Sequence, residues 1–260
     1  MFKYESLKYD SLADLVAIAE KIDMPLSSVV LQEQAETAET TTDAMYQKMA
    51  YALEIMRDSV KDGLDPDKRS ASGLTGGDAY KMMQAVKEGK NICGKVFGEA
   101  LTKALAVSET NASMGRIVAA PTAGSCGILP AAILTIAEDR NIPDHDVIMA
   151  LFTASAVGMV IANNASIAGA EGGCQAECGA ASAMAAAAVV EMCGGTPQMC
   201  VNACAIALKN ILGLVCDPVA GLVEIPCIKR NAAGVGNALV AAEMALAGIE
   251  SAIPADEVIM

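Results

Sequence analysis

Residues Val147–Ala162 read VIMALFTASAVGMVIA, 16 consecutive residues without a charge. Whether this run crosses a bilayer or lies inside a protein decides the fold. A membrane span needs about 20 apolar residues, and Lys or Arg in its flanks normally set its orientation. Here the run passes directly into Asn163-Asn164, and the flanking charges are Asp144 and Asp146. The reading is a buried core helix over 145–162, with no membrane as partner. The positive mean hydropathy then belongs to internal helices.

Composition supports this outward from the run. Aromatic residues are only 3% of a 260-residue chain that is 53% apolar, so the core is built from Ala, Val, Ile, Leu, Met and Cys. Small side chains let backbones approach closely, and Ala is the best helix former. No segment shows the sustained alternation of a strand. The expected fold is all-α: one compact, Ala-rich, multi-helix domain spanning 1–260, with residues 1–60 as a peripheral helical segment. Eighteen Lys and Arg against 31 Asp and Glu give a net charge of −13, which argues against a nucleic-acid partner. The start, MFKYESLKYDSLADL, mixes acids with apolar residues and lacks the apolar core of a secretory signal, so a cytoplasmic location is expected. Nine cysteines, an odd number, then read as thiols rather than as a disulfide framework.

Helical spacing recurs along the chain. Ser11 caps a first helix carrying Leu12, Leu15, Val16, Ala19 and Ile22, which Pro25 ends. Residues 28–42 are acidic and Thr-rich, a solvated helix or a link. Met45, Met49, Ala52, Leu53 and Met56 form a stripe that reads as core. The breaker-rich stretch 62–77, DGLDPDKRSASGLTGG, reads as a surface loop. Further helices are predicted over 78–88, 91–108, 131–140, 177–192, 198–214 and 232–249.

Three connectors stand out between these helices. The first, NASMGRIVAAPTAGSCGILPA (111–131), places glycines and hydroxyls just before a helix. Such a segment offers hydroxyls from Thr122 and Ser125 and backbone N–H groups from Gly124 and Gly127 to an anion; it serves equally as a cap and tight turn. The second, NNASIAGAEGGCQAECGAASAMAAAA (163–188), brings Asn163, Asn164 and Glu171 ahead of Cys174 and Cys178. The third, CDPVAGLVEIPCIKRNA (216–232), holds Cys216 and Cys227 and the cations Lys229 and Arg230. Cys93, Cys200 and Cys204 lie in apolar helical patterns and read as core, and Cys193 as a helix end. Cys174, Cys178, Cys216 and Cys227 lie at connectors, where loops can aim several thiolates at one point. No Cys-x-x-Cys pair exists, so zinc-ribbon and ferredoxin patterns are unsupported. The single histidine, His145, excludes a multi-histidine metal site within this chain and sits among acids at a helix start.

Taken together and in this order, the three connectors resemble those of the iron–sulfur-dependent L-serine dehydratases, specifically their catalytic domain, in many bacteria a separate α subunit. The resemblance covers nearly the whole chain, which starts and stops about where that subunit does. It implies a lyase of serine catabolism, feeding gluconeogenesis, that eliminates water from L-serine to give aminoacrylate and then pyruvate and ammonia. It implies a [4Fe–4S] cluster held by three cysteines, one after a glycine turn and two flanking DPVxGLVExP, which fall on Cys174, Cys216 and Cys227. Three ligands leave one iron open to act as a Lewis acid. Cys178 is kept as a packing residue, with second place as a ligand. The resemblance also implies a partner β subunit. The catalytic roles fall on Thr122, Ser125 and Lys229, and substrate binding on Gly124, Gly127, Asn163, Asn164 and Arg230, with Glu171 as a further orienting group; the base that takes the Cα proton is not identified. The tail, AIPADEVIM, has no cysteine to cap the iron. Pyridoxal phosphate, the other common route to serine dehydration, is not expected: GLTGG (73–77) and GVG (234–236) are too short and lack a paired lysine. Two other readings compete. An electron carrier would take Cys178 as a fourth thiolate, and a non-catalytic interaction subunit would keep all nine cysteines as packing thiols.

Overall fold

Eleven α-helices and two short 3-10 turns, with no strand, make up the described residues of the computed structural model, 7–260. The first six residues, on which part of the leader reading rests, lie outside them. The helices are α1 (Leu12–Ile22), α2 (Leu26–Thr37), α3 (Thr42–Gly63), α4 (Asp78–Lys87), α5 (Gly94–Ala112), α6 (Ile128–Arg140), α7 (Asp144–Asn164), α8 (Gly169–Met192), α9 (Pro197–Lys209), α10 (Cys227–Leu246) and α11 (Ala255–Ile259). The all-α architecture predicted from composition is what the chain adopts.

Helix α8 is the axis of the molecule. It packs against α6, α7, α9 and α10, and its run Ala180–Ala183 and Ala185–Ala188 is completely buried. A helix apolar on every side belongs in the middle of a protein, and alanine lets four neighbours come close. Helix α7, the run that opened the sequence reading, is the one described helix long and apolar enough to cross a membrane, yet most of it is buried against α2, α3 and α8. Helix α5 forms the second spine, touching α3, α4, α6 and α10.

Small residues set the crossings. A methyl on Gly63, at the end of α3, would overlap the carbonyl of Ala106 on α5. A methyl on Gly234 of α10 would strike Ile128 of α6, while Ser182 of α8 donates to the Gly234 carbonyl at 3.0 Å. The N-terminal helices share this core: Leu12, Leu15, Leu26, Val29 and Val30 are fully buried, and each such side chain contributes on the order of 1.5–3 kcal/mol. The segment 28–42, expected as a solvated helix or a link, holds most of α2, which packs on α7 and α3 and buries Val29 and Val30.

Several boundaries differ from expectation, each for a local reason. Helix α8 starts at Gly169 rather than 177 and breaks at Gly173, whose φ of 76° suits glycine alone. Helix α10 starts at Cys227 rather than 232, so Lys229, Arg230 and Asn231 occupy its first two turns. Helix α9 ends at Lys209 rather than 214, because Gly213 turns left-handed and donates its N–H to Gln175 at 2.7 Å. Cys93 is not in the core. Gly94, with φ of 78°, turns the chain just before α5, so Cys93 is exposed and Ile92 is 97% exposed. Helix α11 is too short to carry a sequence period.

Candidate active site

The loop after α5 returns through the cis peptide Ala120–Pro121 and the 3-10 turn Ala123–Ser125 into α6. One buried side chain fixes it. The Asn231 amide on α10 donates to the carbonyls of Gly124 (2.7 Å) and Cys227 (3.0 Å), and its oxygen accepts from the Gly127 N–H (2.9 Å). The Gly127 N–H is thus engaged by Asn231. Gly127 must also lack a side chain, since a Cβ would press on Ser108 Oγ at 2.9 Å and on the Ala104 carbonyl.

Above this clamp, Thr122 donates its hydroxyl proton to Glu177 Oε1 of α8, and Ser125 Oγ lies 3.2 Å from Thr122 Oγ1. The Glu177 carboxylate rests between two glycines. A Cβ on Gly169 would lie 2.8 Å from Oε2, and one on Gly124 would overlap Oε1. Glu177 follows Cys174 by three residues and precedes Cys178 by one, so all three share a helix face. In the sequence Glu177 stands among cysteines that are themselves candidate ligands, and nothing in composition marks it out. The Cys-x-x-Glu-Cys spacing, once placed on a helix, is the signal that would have found it.

Arg230 links the segments that carry Cys174, Cys216 and Cys227. Its guanidinium donates to Cys174 Sγ at 3.2 Å and pairs with Asp217, next to Cys216, at 2.5 Å; Arg230 itself stands one turn after Cys227. Burial pushes the Cys174 thiol up, Arg230 pulls it back, and the charge of Cys216 raises it again. Burial likewise raises Cys227, with the charges of Cys174, Glu177 and Cys216 adding to it. Burial raises Cys178 most strongly, with Cys174, Glu177 and Cys227 contributing. These thiols therefore feel one another and Glu177. Cys216 is exposed on its loop; the Gln175 N–H donates to the Leu214 carbonyl at 2.8 Å and ties that loop to the start of α8. Among the described residues no three His, Cys, Asp or Glu side chains converge closely enough to hold a metal ion. All nine cysteines are free thiols. Soft thiols on neighbouring segments with a cation beside them are the donor type that iron–sulfur clusters take.

The stretch 62–77, expected as a surface loop, is tied through Ser72 and Thr75 to the third connector. Glu224, three residues before Cys227, accepts from Ser72 Oγ (2.8 Å) and Thr75 Oγ1 (3.1 Å). Burial alone would raise its carboxyl, but the hydroxyls of Ser70, Ser72 and Thr75 outweigh this and lower it. A cleft of about 520 Å³ opens beside Ser72, Asn111, Ala123 and Glu224. Lys229 is mostly exposed and pairs with Asp78 at 3.4 Å. The remaining sequence-predicted residues lie elsewhere. Asn163 lines a cavity with Tyr9, Glu33 and Met159. Asn164 donates to the Asp10 and Val160 carbonyls. Glu171 accepts from Ser166, and His145 stacks on Tyr46. Cys200 and Cys204 are buried as expected, and Cys193 caps α8.

Known proteins share this chain's sequence along most of its length. The family described as serine dehydratase alpha chain matches residues 21–260. The chain is 50% identical over 251 residues to the probable L-serine dehydratase alpha chain of Bacillus subtilis, covering 96% of this chain and 83% of that one. It is 42% identical over 247 residues to the L-serine dehydratase alpha chain of Peptoniphilus asaccharolyticus, covering 95% and 85%. It is also 38% identical over 260 residues to the L-serine dehydratase of Mycobacterium bovis, of which it covers 54%.

Proposed function

The chain belongs to the serine dehydratase alpha chain family, and from that premise we propose that it is the catalytic subunit of an iron–sulfur L-serine dehydratase, an L-serine ammonia-lyase. Cys174, Cys216 and Cys227 would hold a [4Fe–4S] cluster. When bound, the cluster supplies an iron with an open position, a Lewis acid for the carboxylate and hydroxyl of serine. The protein's own part follows from the contacts. Arg230 offsets negative charge beside Cys174 and ties its helix to Asp217. Thr122 and Ser125 present hydroxyls beside Glu177, on the helix turn that carries Cys174 and Cys178. Asn231 fixes the distance between the Thr122 loop and Cys227. Elimination gives aminoacrylate and water; aminoacrylate then hydrolyses to pyruvate and ammonia.

The observation that carries this reading is the Arg230 bridge, which links one thiol to the segments bearing the other two. A second subunit completes the enzyme in this proposal. The relatives' designation as alpha chains supports it, as does the greater length of the Mycobacterium bovis dehydratase. The exposed apolar side chains Met114 and Val223 lining the cleft at Glu224 suit such a neighbour. Free thiols throughout fit a reducing cytoplasm.

Anaerobic purification with iron and sulfide analysis tests the reading. About four of each per chain, a visible spectrum that changes with L-serine, and loss of iron in Cys174→Ser, Cys216→Ser and Cys227→Ser are expected. Iron retained in all three variants sinks the ligand assignment. A second reading, an electron carrier with Cys178 as fourth ligand, draws on the closeness of Cys178 to Cys174 and Cys227. It requires that Cys178→Ala also lose the cluster and that serine leave the spectrum unchanged.

A further inference from the structure

We propose that Glu177 is the general base that removes the Cα proton of serine; the inference rests on the dehydratase reading above. Serine elimination needs a proton acceptor beside the bound substrate, and the structure narrows the choice. Asp217 is held by Arg230, Glu224 by Ser72 and Thr75, Glu109 by the N–H groups of Asp78 and Ala79, and Asp78 by Lys81 and Lys229, while Glu171, which accepts from Ser166, is exposed at the start of α8. His145 sits at the start of α7, stacked on Tyr46. Glu177 differs. Its Oε1 accepts from Thr122, and its Oε2 accepts no hydrogen bond from a described residue. Glu177 stands about one turn after Cys174 and next to Cys178 on α8, on the segment that would border the substrate.

The surroundings of Glu177 are shaped for one conformer. Thr122 holds Oε1 from one side, Ser125 backs Thr122 at 3.2 Å, and Gly124 and Gly169 leave the carboxylate the space their own Cβ atoms would fill. A side chain placed only for packing would need neither a donor on one oxygen nor two glycines set against its carboxylate. In the proposed step the Cα–H bond breaks and the proton passes to Glu177 Oε2. The electron pair left behind forms the Cα–Cβ double bond, and the Cβ–O bond breaks with loss of hydroxide. Protonation of that hydroxide by Glu177 restores the carboxylate and releases water.

The test uses the cluster-loaded enzyme with its partner subunit and compares parent, Glu177→Gln and Gly124→Ala. Glutamine keeps the shape and the Thr122 contact but accepts no proton. Alanine at 124 displaces the carboxylate by overlap with the end of a flexible side chain, so the fold stays intact. Both variants are expected to keep iron and sulfide content and a serine-dependent spectral change within about threefold of the parent concentration dependence. Turnover is expected to fall by roughly 10²–10⁴ in Glu177→Gln, with loss of solvent exchange at Cα, and Gly124→Ala to fall in the same direction. Turnover within tenfold of parent in Glu177→Gln overturns the assignment. Loss of the serine response with the cluster retained also overturns it and makes Glu177 an anchor for the ammonium group. If Glu177→Gln fails to load a cluster, Gly124→Ala decides: full activity there refutes the base. A parent enzyme that binds no iron or does not act on serine is the separate result that overturns the dehydratase reading itself.

Discussion

Replacing Asn231 by Asp changes one atom in a nearly isosteric side chain, and the structure gives the consequence. Asn231 is 1% exposed and makes three hydrogen bonds. A carboxylate keeps the acceptor for the Gly127 N–H but has no donor for the carbonyls of Gly124 and Cys227. The Gly124 carbonyl loses this donor outright, at a cost of about 1–3 kcal/mol, while the Cys227 carbonyl, inside α10, keeps the helical N–H four residues on. For a chain of this size that cost corresponds to a fall in Tm of about 2–12 °C. The sign with pH is fixed as well. Burial and the facing carbonyls hold the introduced carboxyl's pKa above its unfolded value near 3.9, so the folded state binds the proton more tightly. The penalty is therefore smallest at acid pH, where the acid regains one donor, and grows as pH rises through the folded pKa. Thermal or urea unfolding of parent and Asn231→Asp at pH 5 and pH 8, with iron content after loading, measures all of this. A variant within about 0.5 kcal/mol of parent at pH 8, or one relatively more stable at pH 8 than at pH 5, refutes the view that this amide clamps the loop to α10.

Two further outcomes follow from the packing. Burial holds the Glu191 carboxyl above its ordinary value despite donors from Thr153 (2.6 Å) and Ser27 (3.3 Å). Its stabilising contribution is thus fully present below the unfolded pKa and is lost as pH rises through the folded one. Glu191→Gln should raise Tm at pH 7 and match parent near pH 4; equal curves at both pH values would contradict this. Gly63→Ala inserts a methyl into the Ala106 backbone. It should destabilise by about 1–3 kcal/mol, more than the gain in helix propensity at a helix end; unchanged urea unfolding would show that α3 and α5 separate freely.

The fold was legible because composition restricts the means of building a core. With few aromatics, Ala180–Ala188 and Val147–Ile161 can be buried only among other helices, and period and length gave most of their boundaries. The site was less legible. Cys93 resembled a core residue from its neighbours, but Gly94 turns the chain there. Lys229, Arg230 and Asn231 looked like connector residues because Pro226 and Cys227 precede them, whereas Pro226 caps α10 and places all three on its first turns. Asn163 and Asn164 follow the long α7 in sequence, but that helix carries them toward Asp10 and Tyr9. Glu224 lies inside the DPVxGLVExP motif and Glu177 between Cys174 and Cys178, but their importance comes from what three-dimensional packing sets opposite them.

The small residues that build the core also set the chemistry. Cys174 and Glu177 ride on α8, Cys227 and Arg230 on α10, and Thr122 on the loop entering α6. These helices meet where Gly234 lies against Ile128 and accepts from Ser182. Moving α10 away from α8 by the width of a methyl would stretch the 3.2 Å contact from Arg230 to Cys174 beyond a hydrogen bond. It would also pull Asn231 from Gly124. A substitution at Gly234 therefore acts on the thiols without touching them. The scarcity of large side chains at the α6, α8 and α10 crossing is a requirement of the site as much as of the core.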